Sequence, residues 1–118
     1  MTDAVPSAKK KLHPVVRTFG GRDVLFDNEG FFNDYEDWDE DIAGVLACES
    51  GIATLTDAHW RVIRFLREFY LGHGRAPLNK QLKKGTGMTL VELERLFPDG
   101  IKNGARRIAG LPNPKSCT

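Results

Sequence analysis

The stretch Thr56-Asp57-Ala58-His59-Trp60-Arg61-Val62-Ile63-Arg64-Phe65-Leu66-Arg67-Glu68-Phe69-Tyr70 decides the fold class. Val62, Ile63, Leu66, Phe69 and Tyr70 recur at helical spacing and form one apolar stripe, while Arg61, Arg64 and Glu68 form the opposite face. Thr56 is placed to cap the helix, and Gly72 and Gly74 to end it. Such a helix is stable only if its stripe packs against something.

The flanking sequence supplies partners. Upstream, Asp37-Trp38-Asp39-Glu40 resembles a capping box with Asp37 as N-cap, followed by Ile42, Val45, Leu46 and Glu49 at helical spacing and a stop at Gly51. Downstream, Pro77 is placed to open a short helix through Leu82, with Gly85 and Gly87 as terminators. Thr89-Leu90-Val91-Glu92 is a second capping box, with Leu90, Leu93, Leu96 and Phe97 as its apolar face up to Pro98. A last helix spans roughly 100–109, with Ile101, Ala105 and Ile108 inward and Gly110 as its C′ glycine. At the amino end, Val15–Phe19 and Arg22–Phe26 flank Gly20-Gly21, a hairpin signal, and Asp27–Gly30 is a second turn before Phe31-Phe32. The expected architecture is mainly α: a small orthogonal helical bundle with an N-terminal β-hairpin and an extended, mobile C-terminal arm. Residues 1–13 read as a flexible basic tail, 14–110 as the folded domain, and 111–118 as the arm.

The chain has 118 residues, enough for one domain with one modest core. No apolar run approaches the roughly 20 residues of a spanning helix. The first residues are polar and basic, unlike a secretory signal, so a thiol-reducing cytoplasm is the expected compartment. The net charge of +1 conceals a segregation. Residues 23–50 hold ten acids and no Lys or Arg, whereas residues 51–118 hold twelve basic residues and five acids. That division suits an internal electrostatic seam or two surfaces for different partners; solvated faces that happen to cluster would look the same.

Two cysteines make no disulfide framework and follow no zinc-ligand spacing, and no Gly-rich phosphate loop or Ser/His/Asp arrangement is present, so neither a metal nor a cofactor is expected. Cys48, beside Val45, Leu46 and Ala47, reads as a small core hydrophobe. His13, His59 and His73 read as structural or solvated. Cys117 differs. It follows Leu111-Pro112-Asn113-Pro114-Lys115-Ser116, whose two prolines favour an extended segment of ~3 Å per residue, giving a reach of about 15–20 Å. A thiol on such an arm is either a group offered to a partner's active site or an incidental exposed cysteine.

Leu96-Phe97-Pro98, the run Ile108-Ala109-Gly110-Leu111-Pro112-Asn113-Pro114 and the penultimate cysteine together resemble the DsrC/TusE family of sulfur relay proteins. Asn28-Glu29-Gly30-Phe31 with Trp38, His59-Trp60, the block Arg64–Tyr70 and Ala76-Pro77 fit the same pattern, so the resemblance covers about residues 18–118. It implies that Cys117 bears sulfur as a persulfide, in a sulfurtransferase-type carrier rather than a stand-alone catalyst. It also implies donor and acceptor proteins as partners, either in tRNA 2-thiouridine synthesis or in a sulfite-reductase-linked or sulfur-oxidation pathway. Family members that work with dissimilatory sulfite reductase carry a second cysteine where this chain has Arg106, so a two-cysteine disulfide is not expected here. The segment between Pro77 and Leu96 is shorter than the family pattern, and Asn113, Lys115 and Ser116 depart from it.

If the arm folds back, Arg106 and Lys115 would favour the Cys117 thiolate; Arg106 reads equally well as a solvated helix residue. Lys80, Lys84 and Arg107 are the expected partner-binding cations. The same basic half, with Lys83, Arg95 and Lys102, admits a reading from another class, a nucleic-acid-binding or regulatory module, although no aromatic-interleaved patch or recognition-helix motif accompanies it.

Overall fold

A computed structural model describes residues 15–113. The hairpin forms as the sequence predicts. Strands β1 (Val15–Phe19) and β2 (Arg22–Phe26) pair antiparallel with Phe19 opposite Arg22 and Val15 opposite Phe26. Gly20 and Gly21 both take positive φ, +57° and +87°, which a tight two-residue hairpin turn demands. Phe31-Phe32 adds only a bridge between Phe32 and Phe26, because the Asp27–Gly30 turn brings the chain back for one residue pair. Asp27 holds that turn, its Oδ1 accepting from the amides of Glu29 and Phe31, both at 2.9 Å.

A 3₁₀ turn, Tyr35–Asp37, leads into α1 (Glu40–Glu49). The N-cap is therefore Asp39 rather than Asp37: Asp37 is spent in the turn, and the Oδ1 of Asp39 accepts the Ile42 amide at 2.8 Å. The buried side of α1 is Ile42, Ala43, Leu46 and Ala47. Val45 and Cys48 face outward, which corrects the reading of Cys48 as a core thiol. Its neighbours Leu46 and Ala47 take the inward positions, and the next residue along rotates away from them.

Helix α2 (Asp57–His73) is capped by Thr56 and ends on left-handed Gly74, with Gly72 absorbed in its last turn. Val62, Ile63 and Leu66 are fully buried; Phe69 and Tyr70 lie at the edge of the stripe, half-buried. His59 is structural. The Thr56 amide donates to its Nδ1 at 3.0 Å, which leaves Nε2–H to donate to the Leu96 carbonyl at 2.8 Å, and its ring sits edge-on to Phe97.

Helix α3 (Asn79–Thr86) starts later than Pro77 and continues through Gly85 to left-handed Gly87. The Gln81 side chain accepts the Leu78 amide at 2.8 Å and fixes the start. Gly85 persists inside the helix because Phe65 of α2 packs on its bare Cα; a Cβ there would lie 2.2 Å from the ring. Helix α4 (Leu90–Leu96) has the predicted reciprocal cap, Thr89 with Glu92. The last helix, α5 (Ile101–Arg106), is wound as a π-helix, followed by a bond from the Ala109 amide to the Ala105 carbonyl. One core joins all these elements, from Val24 and Phe26 of the hairpin through Leu46, Leu66, Leu82 and Leu93 to Ile108 and Leu111. Among the described residues no helix is long and apolar enough to cross a membrane.

Candidate functional site

The carboxy-terminal segment leaves the bundle at Gly110, just beyond α5, and its exit is built from residues distant in sequence. Gly110 has φ +82°, and a Cβ on it would stand 2.6 Å from Cδ1 of Trp38, so only glycine lets the indole lie against this backbone. The same indole donates from Nε1 to the Ile108 carbonyl at 2.7 Å. Arg67 of α2 donates to the next carbonyl, Ala109, at 2.8 Å, while its guanidinium lies over Trp38 and Tyr35, 4.1 and 4.7 Å from the ring centroids. Burial lowers the Arg67 pKa below the ordinary arginine range, with Tyr35 opposing that shift. Carbonyls that a helix end would leave unpaired thus receive an indole and a guanidinium.

Beyond Gly110, Leu111 is 1% exposed and donates its amide to the Arg106 carbonyl at 3.1 Å, the 6→1 bond of a Schellman-type stop. Asn113 is buried at 8% exposure, its Nδ2 donating to Asp27 Oδ2 at 3.1 Å and Glu29 Oε1 at 3.0 Å. The Asp27 turn that follows the hairpin therefore holds the start of the arm. Here the acidic segment meets the end of the basic half, and the side-chain amide of Asn113 is one of the links between them.

The two arginines of α5 point to different neighbours. Arg106 is half-buried and donates from Nη2 to the Pro77 carbonyl at 2.9 Å, with burial pushing its pKa down. Arg107 donates from Nε to the Asn103 carbonyl and from Nη2 to Ser50 Oγ at 3.3 Å, and the Ser50 hydroxyl donates to Asp99 at 2.6 Å.

This geometry can be set beside known proteins. The DsrC like protein family model matches residues 18–118. The chain is 40% identical over 106 residues to the sulfurtransferase TusE of Sodalis glossinidius, covering 84% of this chain and 97% of that one. It is 35% identical over 100 residues to the gamma subunit of the dissimilatory-type sulfite reductase of Nitratidesulfovibrio vulgaris, covering 85% and 95%. The crystal structure of the oxidized gamma subunit (DsrC) from Archaeoglobus fulgidus superposes with a TM-score of 0.76 at 35% identity, over 88% of this chain and all of that one. The chain belongs to the DsrC-like family.

In this DsrC-like chain the residues singled out by sequence separate into three groups. Cys117 and Lys115 lie outside the described residues. Lys80 and Lys84 are exposed on α3, whereas Arg107 is turned toward Ser50, so the three cations are not gathered around one contact. Arg106 is neither a solvated helix residue nor bonded to a thiol among the described residues; it ties α5 to the loop before α3. Sequence reading passed over Trp38, Arg67, Asp27 and Glu29 as functional positions. An aromatic residue inside an acidic run, and an arginine bordering the α2 stripe, were the available signals. Among the described residues, no group of three or more His, Cys, Asp or Glu side chains is placed to hold a metal ion.

Proposed function

We propose that this DsrC-like chain is a sulfur relay protein that carries sulfane sulfur as a persulfide on Cys117. The observation that carries the reading is the family match, whose range of 18–118 includes Cys117. The Cys117 thiolate attacks the outer sulfur of a donor protein's Cys–S–SH. A new S–S bond forms, the donor's inner sulfur leaves as its thiolate, and Cys117 is left as the persulfide Cys–S–SH, with no net oxidation. Attack by an acceptor thiolate on that outer sulfur passes it on and regenerates the Cys117 thiolate. The chemistry needs no acid–base machinery in the carrier, only reach and direction. The packed start of the arm supports the second requirement, since Asn113 is held four residues before Cys117.

The proposal keeps a tail (1–13), a folded body (14–110) and an arm (111–118), with Leu111 and Asn113 serving as the arm's packed root. Arg106 and Lys115 supply positive charge that favours a thiolate on Cys117, and exposed Lys80 and Lys84, with Arg107, offer cationic contacts to relay partners. A thiol-reducing cytoplasm suits a protein that works through a free thiol. Relatives named for both sulfurtransferase and sulfite reductase leave two classes of pathway. Arg106, standing where two-cysteine members carry their second thiol, favours simple one-thiol transfer of the tRNA-thiolation type.

Incubation with a protein persulfide donor followed by mass spectrometry tests the reading. A gain of one sulfur atom (about 32 Da) mapping to Cys117 and absent from Cys117→Ser is expected. An adduct confined to Cys48, or none, overturns it.

A further inference from the structure

Beside the arm root, between the end of α2 and the loop before α3, lies a cavity of about 280 Å³. Its walls include Tyr70, Pro77, Leu78 and Leu111, and its charged lining is Arg75 and Arg106. No carboxylate lines it among the described residues. Arg106 makes one hydrogen bond there, to the Pro77 carbonyl, and its Nε–H is buried with no acceptor. A guanidinium carries N–H donors on all three nitrogens, and one left half-buried without a counter-charge is electrostatically incomplete. The apolar walls weaken solvent screening and so raise its attraction for a negative group.

We infer that this cavity is a binding site for a small free oxyanion of the sulfate or phosphate type, held by Arg106 and Arg75. The volume exceeds the roughly 30 Å³ share of one water many times over and admits a tetrahedral oxyanion with part of its hydration shell. Arg106 is the anchor, since Pro77 holds its head in place; Arg75, exposed and lying over Phe69, closes the rim. Pro112 and Asn113 also line the cavity, so an occupant would touch the root of the arm. Oxyanion binding there can be measured whether or not Cys117 carries sulfur.

The test is a titration of the ¹⁵N-labelled full chain with sodium sulfate and, separately, sodium phosphate, against sodium chloride at matched ionic strength. Saturable shifts of the Arg106 Nε–H and of the Leu78 and Leu111 amides with either oxyanion, and not with chloride, are expected. Arg106→Met should weaken binding at least tenfold. Arg61→Met, which removes an exposed arginine of α2 outside the cavity, should leave the affinity unchanged. Shifts that do not saturate, that chloride reproduces, or that centre on other residues overturn the site. Should Arg106→Met not fold, the Arg106 Nε–H response of the unaltered chain remains the criterion, and Arg75→Met, at an exposed position, must weaken binding several-fold.

Discussion

The indole of Trp38 and the backbone of Gly110 form a matched pair: the ring occupies the space a Cβ on Gly110 would need, and its Nε1–H caps the Ile108 carbonyl. Through this pair, an aromatic residue of the acidic segment fixes where the carboxy-terminal segment leaves the bundle. Gly110→Ala combines a positive-φ penalty with overpacking against the ring and should cost more than about 2 kcal/mol. Trp38→Phe keeps most of the ring but removes the donor to Ile108 and should cost about 1–3 kcal/mol. Urea unfolding of both variants measures this; a Gly110→Ala protein as stable as the parent would show that the close approach is not binding on the structure.

Asn113 joins the arm to Asp27 and Glu29. Removing its amide in Asn113→Ala should cost about 1.5–3 kcal/mol, because that amide donates to two carboxylates. On the proposed function, sulfur transfer from a protein donor to Cys117 should slow several-fold, because the arm loses its set direction. Reaction of Cys117 with a small disulfide reagent should not change, since its chemistry is untouched. Parallel losses in both assays would argue against a directing role.

Asp39 caps α1, and the Ile42 amide, aided by Arg22, holds its carboxyl below the ordinary aspartate range, against a smaller opposing effect of burial. A group whose pKa is lowered on folding stabilises the fold above its unfolded value, near 3.9, and that contribution fades as pH falls through the folded value. Asp39→Ala should therefore cost about 0.5–2 kcal/mol at neutral pH, and the difference from the parent should shrink in acid. Thermal unfolding at pH 7 and at about pH 3 provides the comparison.

Cys48 faces solvent on α1, so Cys48→Ser should alter stability by no more than about 0.5 kcal/mol. A thiol-labelling reagent should modify Cys48 in the native protein without denaturant. Protection of Cys48 until unfolding would restore a core role for it.

Much of the fold was readable because local chemistry specified it. The α2 stripe, the Thr56 and Thr89 caps and the Gly20-Gly21 turn each depend on residues within a few positions of one another, and each formed. Expectation and structure part where a distant neighbour or an intervening turn overrides the simple local signal. Gly85 reads as a helix stop, yet Phe65 makes it a helix interior; Asp37 reads as a cap, yet the 3₁₀ turn hands that role to Asp39.

The sequence by itself determined the helical class and the hairpin, which rest on periodicity and local spacing, while its resemblance to a known family singled out Cys117 as the candidate sulfur-bearing residue. Only the tertiary structure decided what holds the root of the arm. Trp38, Arg67, Asp27 and Glu29 lie 42 to 86 positions from the residues they contact there. No local pattern encodes such pairings: they exist because core packing brings the hairpin, α2 and α5 together and leaves backbone carbonyls and an amide that must find partners.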